Sequence, residues 1–544
     1  RFYKNSAGEY LFYGYHPPTD GSYNVDGNTY YSTDENGNRV DFRTAERYKE
    51  YREAGLNMLF LQSDDGYGGQ PFESSELKKI MDAAFSAGIN KVCVFDSGLY
   101  VLSATGSQNE TARLTFDILL NRQRGFKLPA GKQRTDVITD PDFIEEDYAS
   151  VYKSAYGGRE YAELSAEEKT ALEKVVKENY GYLLEYVKGC LSPYINHAAF
   201  YGVMLVDEPA WYQLPQTSLM YKAIKQVGKT LGKEIFVQQN LLPLDKSSKA
   251  AYVSSAELDR LGGDYKACYE SYLEEFVKRS GADRIRMDIY PLRQSGSGSN
   301  IKYSVLSQYY ECLQIMRKVA DKYGCSLGAV VQACECTKDA DGNVVSWKRP
   351  TEADMRWQIN SYIGFGFEEI AYYTYWAYKN NGNGAYYTDG SAFMTRDGQK
   401  TELYSIMQTI HKEMQSFAGV MMNFDYRGAK YYGSSSEFST DYLAQLDCKE
   451  NFDGLKSVSA GNGQTALVTE LSDEANGQYA YMIMNAAVPE YGVKLTVTLR
   501  FASGVDAVEV WSKGEMKLYR LGNDNDISFE LEAGDAVYVL PYKM

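Results

Sequence analysis

Apolar residues in this chain come in two forms that alternate along its length. One is a short dense run, as expected of a strand covered on both faces. The other is a longer stretch where apolar positions recur every three or four residues, the mark of an amphipathic helix. The dense runs predict strands over Tyr10–Tyr15, Leu56–Gln62, Asn90–Phe95, Phe200–Val206, Glu234–Gln239, Asp283–Ile289, Ser326–Gln332 and Glu369–Tyr375. The helical repeat covers Thr44–Ala54, Ser75–Ala87, Glu167–Cys190, Leu219–Leu231, Tyr265–Ser280, Tyr303–Tyr323, Thr351–Gly364 and Leu403–Phe417. Gly55, Gly88 and Gly232 stand just past three of these helices, where a C-terminal cap calls for positive φ.

Strands that alternate with helices imply a parallel sheet. Eight such units over about 400 residues predict an α/β fold of the (β/α)8 TIM-barrel kind. An open doubly wound sheet is the alternative, but no Gly-rich phosphate loop follows Tyr10–Tyr15. After Asn423 the helical repeat stops. Short alternating strands replace it at Gln464–Leu471, Tyr479–Asn485, Lys494–Phe501, Ala507–Trp511 and Asp535–Leu540. They predict a small all-β sandwich. The expected division is therefore a barrel over 1–422, with a long insertion at about 97–199, and a sandwich over 423–544. The turns N-V-D-G-N and D-E-N-G-N after the first strand predict a hairpin. Their acidic residues miss the spacing of a calcium loop.

Composition narrows the class. At 544 residues the chain is too long for a single core. Its net charge of -16 opposes phosphate backbones and anionic lipid, so neither nucleic acid nor a membrane surface is an expected partner. No apolar run approaches the roughly 20 residues of a membrane span. The chain begins at Arg1 rather than Met, so a removed leader is expected. The 49 tyrosines suit surfaces that stack on sugars, although a compositional habit explains them equally well. The eight cysteines sit mostly in apolar contexts and form no dense disulfide framework. With three histidines, and Cys334 and Cys336 as the one paired element, no metal or cofactor is expected.

In a barrel, chemistry gathers where strands end. The residues there are His16 after the first strand, Ser63, Asp64 and Asp65 after the second, and Asp96 after the third. Asp207 and Glu208 follow the fourth, and Asn240 the fifth. Asp288 and Tyr290 mark the sixth, Gln332 and Glu335 the seventh, Tyr375 and Trp376 the eighth. Carboxylates and aromatics of this kind suit glycoside hydrolysis. One acid protonates the leaving oxygen, a second attacks or activates water, and a flat ring holds the sugar.

The stretches V-M-L-V-D-E-P at Val203–Pro209, M-D-I-Y-P at Met287–Pro291 and Y-Y-T-Y-W at Tyr372–Trp376 resemble the clan A barrel glycoside hydrolases. Together with K-R-P-T-E-A-D-M-R-W-Q at Lys348–Gln358 they look most like the family 42 β-galactosidase-like proteins and their gut-bacterial relatives. The likeness covers roughly residues 10–420. It implies Glu208 as acid/base and Glu335, by placement, as nucleophile of a retaining mechanism. It also implies Tyr290 as a partner of the nucleophile and Trp376 as the ring under the sugar. Asp207, His16, Asp96, Asn240, Asp288 and Gln332 complete the expected substrate contacts. An oligo- or polysaccharide substrate and a secreted, periplasmic or cell-surface bacterial location are implied with them.

Two departures stand out. Asp207 occupies the place where the clan usually has Asn, and it can accept but not donate a hydrogen bond when ionised. Ser63 and Asp64 lie where an Arg is usual. These leave two rival readings open: a carbohydrate-binding protein on a hydrolase-like barrel, and a metal-assisted barrel hydrolase or lyase using Asp207 and Asp288.

Overall fold

The structure is a computed structural model that describes residues 8–25, 28–62, 74–100, 114–122, 126–143, 149–296, 298–338, 344–377, 391–435 and 437–543. The eight dense runs are strands β1 (Leu11–Gly14), β2 (Leu59–Gln62), β3 (Val92–Phe95), β4 (Phe200–Asp207), β5 (Phe236–Leu241), β6 (Arg284–Asp288), β7 (Ser326–Gln332) and β8 (Glu369–Tyr373). Each is followed by a helix of the repeat: α1 (Ala45–Glu53), α2 (Ser74–Ser86), α3 (Ala166–Leu191), α4 (Leu214–Thr230), α5 (Tyr265–Ser280), α6 (Tyr309–Tyr323), α7 (Glu352–Gly364) and α8 (Glu402–Met421). The sheet order is β1-β8-β7-β6-β5-β4-β3-β2, with parallel neighbours. Asn57 and Met58, which lead into β2, donate to Phe12 O of β1. The fold is thus TIM-barrel-like α/β, as the pattern predicts.

By compactness the chain divides into two units. One holds Arg1–Leu59, Asp288–Lys318 and Ser326–Met544; the other holds Phe60–Met287 and Val319–Cys325. In the second unit β5 is buried at every position and β4 along its middle, which is why both read as unbroken apolar runs. The described part of the insertion after β3 has its own small core of Tyr152, Leu164, Leu172 and Val176.

In the first unit, strands β9 (Asp425–Tyr432), β10 (Leu455–Ala460), β11 (Ala466–Asp473), β12 (Gln478–Asn485), β13 (Leu495–Phe501), β14 (Ala507–Ser512), β15 (Glu515–Arg520), β16 (Asp526–Leu531) and β17 (Ala536–Tyr542) follow α8. They form a six-stranded sheet, β9-β11-β12-β17-β14-β15, and a three-stranded sheet, β10-β13-β16. Val468, Ile483, Val497, Leu499 and Val539 share one core between them, so this is the predicted sandwich. It seats on α7, where Asn360 Nδ2 donates to Gly534 O (3.0 Å) and Tyr538 OH donates to Asn360 Oδ1 (3.0 Å).

Some expectations need correction. The stretch from Tyr303 does not begin a helix; Lys302–Val305 is a strand, and α6 starts at Tyr309. Helix α4 starts earlier than predicted, at Leu214, because Pro215 suits a first helical turn. The tyrosine surplus is largely interior packing: Tyr13, Tyr48, Tyr51, Tyr221, Tyr309 and Tyr310 rank among the largest fully buried side chains. The hairpin after β1 is present, with Ser22–Val25 antiparallel to Asn28–Tyr31. All eight cysteines are free thiols, and seven of them are buried.

One buried histidine ties α8 to the sheet. A carbonyl only accepts, so His411 Nδ1 donates to Ala54 O (2.6 Å), which leaves Nε2 to accept from Tyr372 OH (2.7 Å). Gly55 is needed beside it: its φ is +88°, and a Cβ there would lie 2.5 Å from His411 Cβ. Burial lowers the His411 pKa to about 4. The unfolded chain takes up this proton below about pH 6.5, while the folded chain resists it until about pH 4. Stability is therefore whole above about pH 6.5 and falls on acidification through that window, by about 3 kcal/mol for this group. Urea unfolding at pH 7 and pH 4.5 should show that loss, and His411→Phe should reduce it by this group's share, leaving that of His16.

Candidate functional site

In the second unit the site is built at the end of β4. Met204 pairs with Gln238, but Asp207 pairs with Asn240, so β4 holds one extra residue between them. Such a bulge turns the side chains that follow it. Gln239 Nε2 fills the gap, donating to Val206 O and Asn240 O (both 2.6 Å). Asn240 Nδ2 donates to Asp207 Oδ1 (2.9 Å), and Glu208 N donates to Asn240 O (3.1 Å). Glu208 itself is exposed and has φ +46°. A non-glycine residue held there costs about 1 kcal/mol or more, and such strain concentrates at functional sites. Asp96 is spoken for: it is fully buried and accepts from Gly98 N (2.7 Å), Leu99 N (3.2 Å) and Tyr194 OH (2.8 Å). It holds the turn after β3 and is not open to a ligand.

In the first unit an arc of rings lies at the ends of β1, β6 and β8. His16, just past β1, also has positive φ (+51°), and burial lowers its pKa to about 4. Its ring meets Tyr373 edge-on at 5.8 Å, Tyr373 meets Tyr290 at 5.7 Å, and Tyr290 meets Trp347 at 4.4 Å. Trp347 belongs to a four-stranded antiparallel sheet that the sequence does not announce, ordered Lys302–Val305, Leu292–Ser295, Val344–Trp347, Cys336–Lys338. Cys336, Trp347, Arg293 and Ser304 stand in register across it, and so share one face. Because Trp347 touches Tyr290, that face is turned to the ring arc.

Glu335 enters the edge strand of this sheet at Cys336. It is half-buried, and its main-chain N donates to Ser391 Oγ (3.1 Å). Asp288 is also half-buried and ends β6.

Gln332 anchors the sheet and is not a substrate contact. It is fully buried, and its Oε1 accepts from Leu292 N (2.9 Å). Its Nε2 donates to Leu292 O (3.2 Å) and Lys348 O (2.9 Å). Its main chain exchanges two further bonds with the amide of Gln358. Trp376 is not a platform either. It is only 3% exposed, packs on Phe42 at 4.8 Å, and donates its indole N–H to Arg396 O (3.1 Å). Trp347 is half-buried in the ring arc, and sequence reading missed it with Tyr373 and Arg293. The available signal was the short β-branched and aromatic run V-V-S-W after a D-G-N turn. Ser63, Asp64 and Asp65 lie outside the described residues. Among the described residues no group of three or more His, Cys, Asp or Glu is placed to hold a metal ion, and no helix is long and apolar enough to cross a membrane.

Replacing Gln332 with Leu leaves three buried main-chain groups, Leu292 N, Leu292 O and Lys348 O, without their amide partner. The expected result is a loss of about 2 kcal/mol or more in unfolding free energy, read by urea titration.

No protein-family model matches the chain, and no curated protein matches it. Among solved structures, it is similar to a β-L-arabinopyranosidase of glycoside hydrolase family 27 from Geobacillus stearothermophilus, at 11% identity and TM-score 0.44, covering 99% of this chain and 98% of that one. It is similar to a family 44 xyloglucanase from Paenibacillus polymyxa, at 11% identity and TM-score 0.38, covering 98% and 93%. A family 44 endoglucanase from Clostridium thermocellum aligns at 13% identity and TM-score 0.33, covering 98% and 97%.

Proposed function

We propose that this chain is a glycoside hydrolase acting through two carboxylic acids, on a barrel like that of the family 42 β-galactosidase-like proteins. The observation that carries the reading is Glu208: an exposed acid held in a strained conformation at the bulged end of β4. In this role Glu208 protonates the glycosidic oxygen as the bond breaks. Glu335 attacks the anomeric carbon, and Glu208 then takes a proton from the water that releases the sugar. Asp207, oriented by the Asn240 amide, accepts from a sugar hydroxyl. Trp347 lies against the apolar face of the ring, with Tyr290, His16 and Asp288 around its edge. The reading includes the division into a barrel over 1–422 and a sandwich over 423–544, and a secreted or cell-surface setting where an oligo- or polysaccharide is met.

An aryl-glycoside panel tests it. Wild type should cleave at least one member, and Glu208→Gln and Glu335→Gln should each lose about 10²–10⁴-fold in kcat/KM with unchanged unfolding midpoints. Full activity in either variant removes that residue from the mechanism. Oligosaccharide bound without turnover would favour a binding protein, and activity lost to chelator and restored by divalent metal would favour the metal-assisted reading.

A further inference from the structure

Among the described residues, no carboxylate is paired with Arg293. Its side chain is half-buried on the ring-facing side of the four-stranded sheet, with the guanidinium carbon 5.9 Å from the centroid of Trp347. Among the described residues no carboxylate lies within ion-pair distance of it, and no hydrogen bond engages its nitrogens. Other buried cations of this unit are treated differently. Lys348 pairs with Asp354 and with Glu490 (2.6 Å). Arg356 pairs with Glu413 (2.6 Å) and stands 3.8 Å from Asp535. In a chain with a net charge of -16, acids to pair with are plentiful, so a lone guanidinium at this place is notable.

The physical cost is plain. Taking a cation part-way out of water is unfavourable unless an anion or a set of acceptors meets it. Burial accordingly pulls the Arg293 pKa below the usual guanidinium value. The guanidinium is a planar fork that matches carboxylate or sulfate oxygens two at a time. Its position adds the rest. The guanidinium lies over the Trp347 ring, so an anion that it holds stands beside the aromatic arc.

We propose that Arg293 binds a negatively charged substituent on the sugar, so that the site takes an acidic glycan whose residue carries a carboxylate or a sulfate ester. The proposal rests on the glycoside hydrolase reading and narrows its substrate class. Arg293 here is a specificity-determining residue: it anchors the charged group while Trp347 holds the ring. Both sources of charge share the chemistry of a planar or tetrahedral oxyanion, and the assay separates them.

The experiment uses the full chain and three matched sets of aryl glycosides: uronides, sulfated sugars and their neutral parents. Each is measured for kcat/KM, and the corresponding free sugars are measured for binding by calorimetry. At least one anionic set should exceed its neutral parent by about tenfold or more. Arg293→Gln should erase that preference with little effect on neutral sugars, and Arg293→Lys should retain part of it. Raised salt should shrink it. A response from the uronides alone, or from the sulfated set alone, supports the proposal and names the group. The unfolding midpoint should stay unchanged, because no hydrogen bond or ion pair of the described residues is removed. Neutral glycosides cleaved as well as anionic ones, or a preference that survives in Arg293→Gln, overturns the proposal and leaves the hydrolase reading standing. Arg293-dependent binding of anionic sugars with no glycoside cleaved does the reverse. Failure of every sugar to bind overturns both.

Discussion

The amide of Gln332 is the constraint on which the ring arc of the first unit rests. It stands at the last position of β7, buried to 0% exposure, and reaches three main-chain groups on two other segments. Leu292 precedes Arg293, and Lys348 follows Trp347. By fixing these two neighbours, one side chain sets where the guanidinium and the indole stand relative to the strand end. The four-stranded sheet then inherits its position from the barrel, although its strands are only three or four residues long. An amide suits this task because it offers two donors and an acceptor in one rigid plane, which a hydroxyl or a carboxylate does not.

Much of the architecture was legible. Strands β4, β5 and β7 are sealed on both faces, so their sequences are continuous apolar runs. The glycines at 55, 88 and 232 have the positive φ that helix ends demand. What escaped notice has a common cause. The strands around Arg293, Tyr303 and Trp347 are short and only partly covered, so no period of two stands out against the loop composition. Strand β15 is exposed along its whole length and gave no apolar signal either. Trp376 misled for the opposite reason: nothing in Y-Y-T-Y-W tells that Phe42, far away in the chain, closes over the indole.

The stretch Lys348–Gln358 resembles the corresponding run in family 42 β-galactosidase-like proteins, yet its residues serve construction. Thr351 caps α7, accepting from Asp354 N (3.3 Å), and Lys348 pairs with the same aspartate. Arg356 clamps Glu413 of α8 with two bonds, and Trp357 sits in a cluster with Tyr309, Tyr310 and Tyr442. Gln358 closes the amide pair with Gln332. A distinctive stretch can therefore be taken up by packing and capping. Placement at a strand end was the guide to Glu208, whose exposed position with positive φ after β4 the structure describes.

The ion pair of Lys348 with Glu490 reaches from the barrel's β7–α7 connection into the sandwich. Beside it, Tyr491 OH donates to Tyr303 O (3.2 Å) on the outer strand of the four-stranded sheet. The tail is thus a buttress rather than an appendage: it shores up the wall that carries Trp347 and Arg293 from behind. A change confined to residues 487–493 would therefore shift the aromatic wall while every barrel strand stayed untouched.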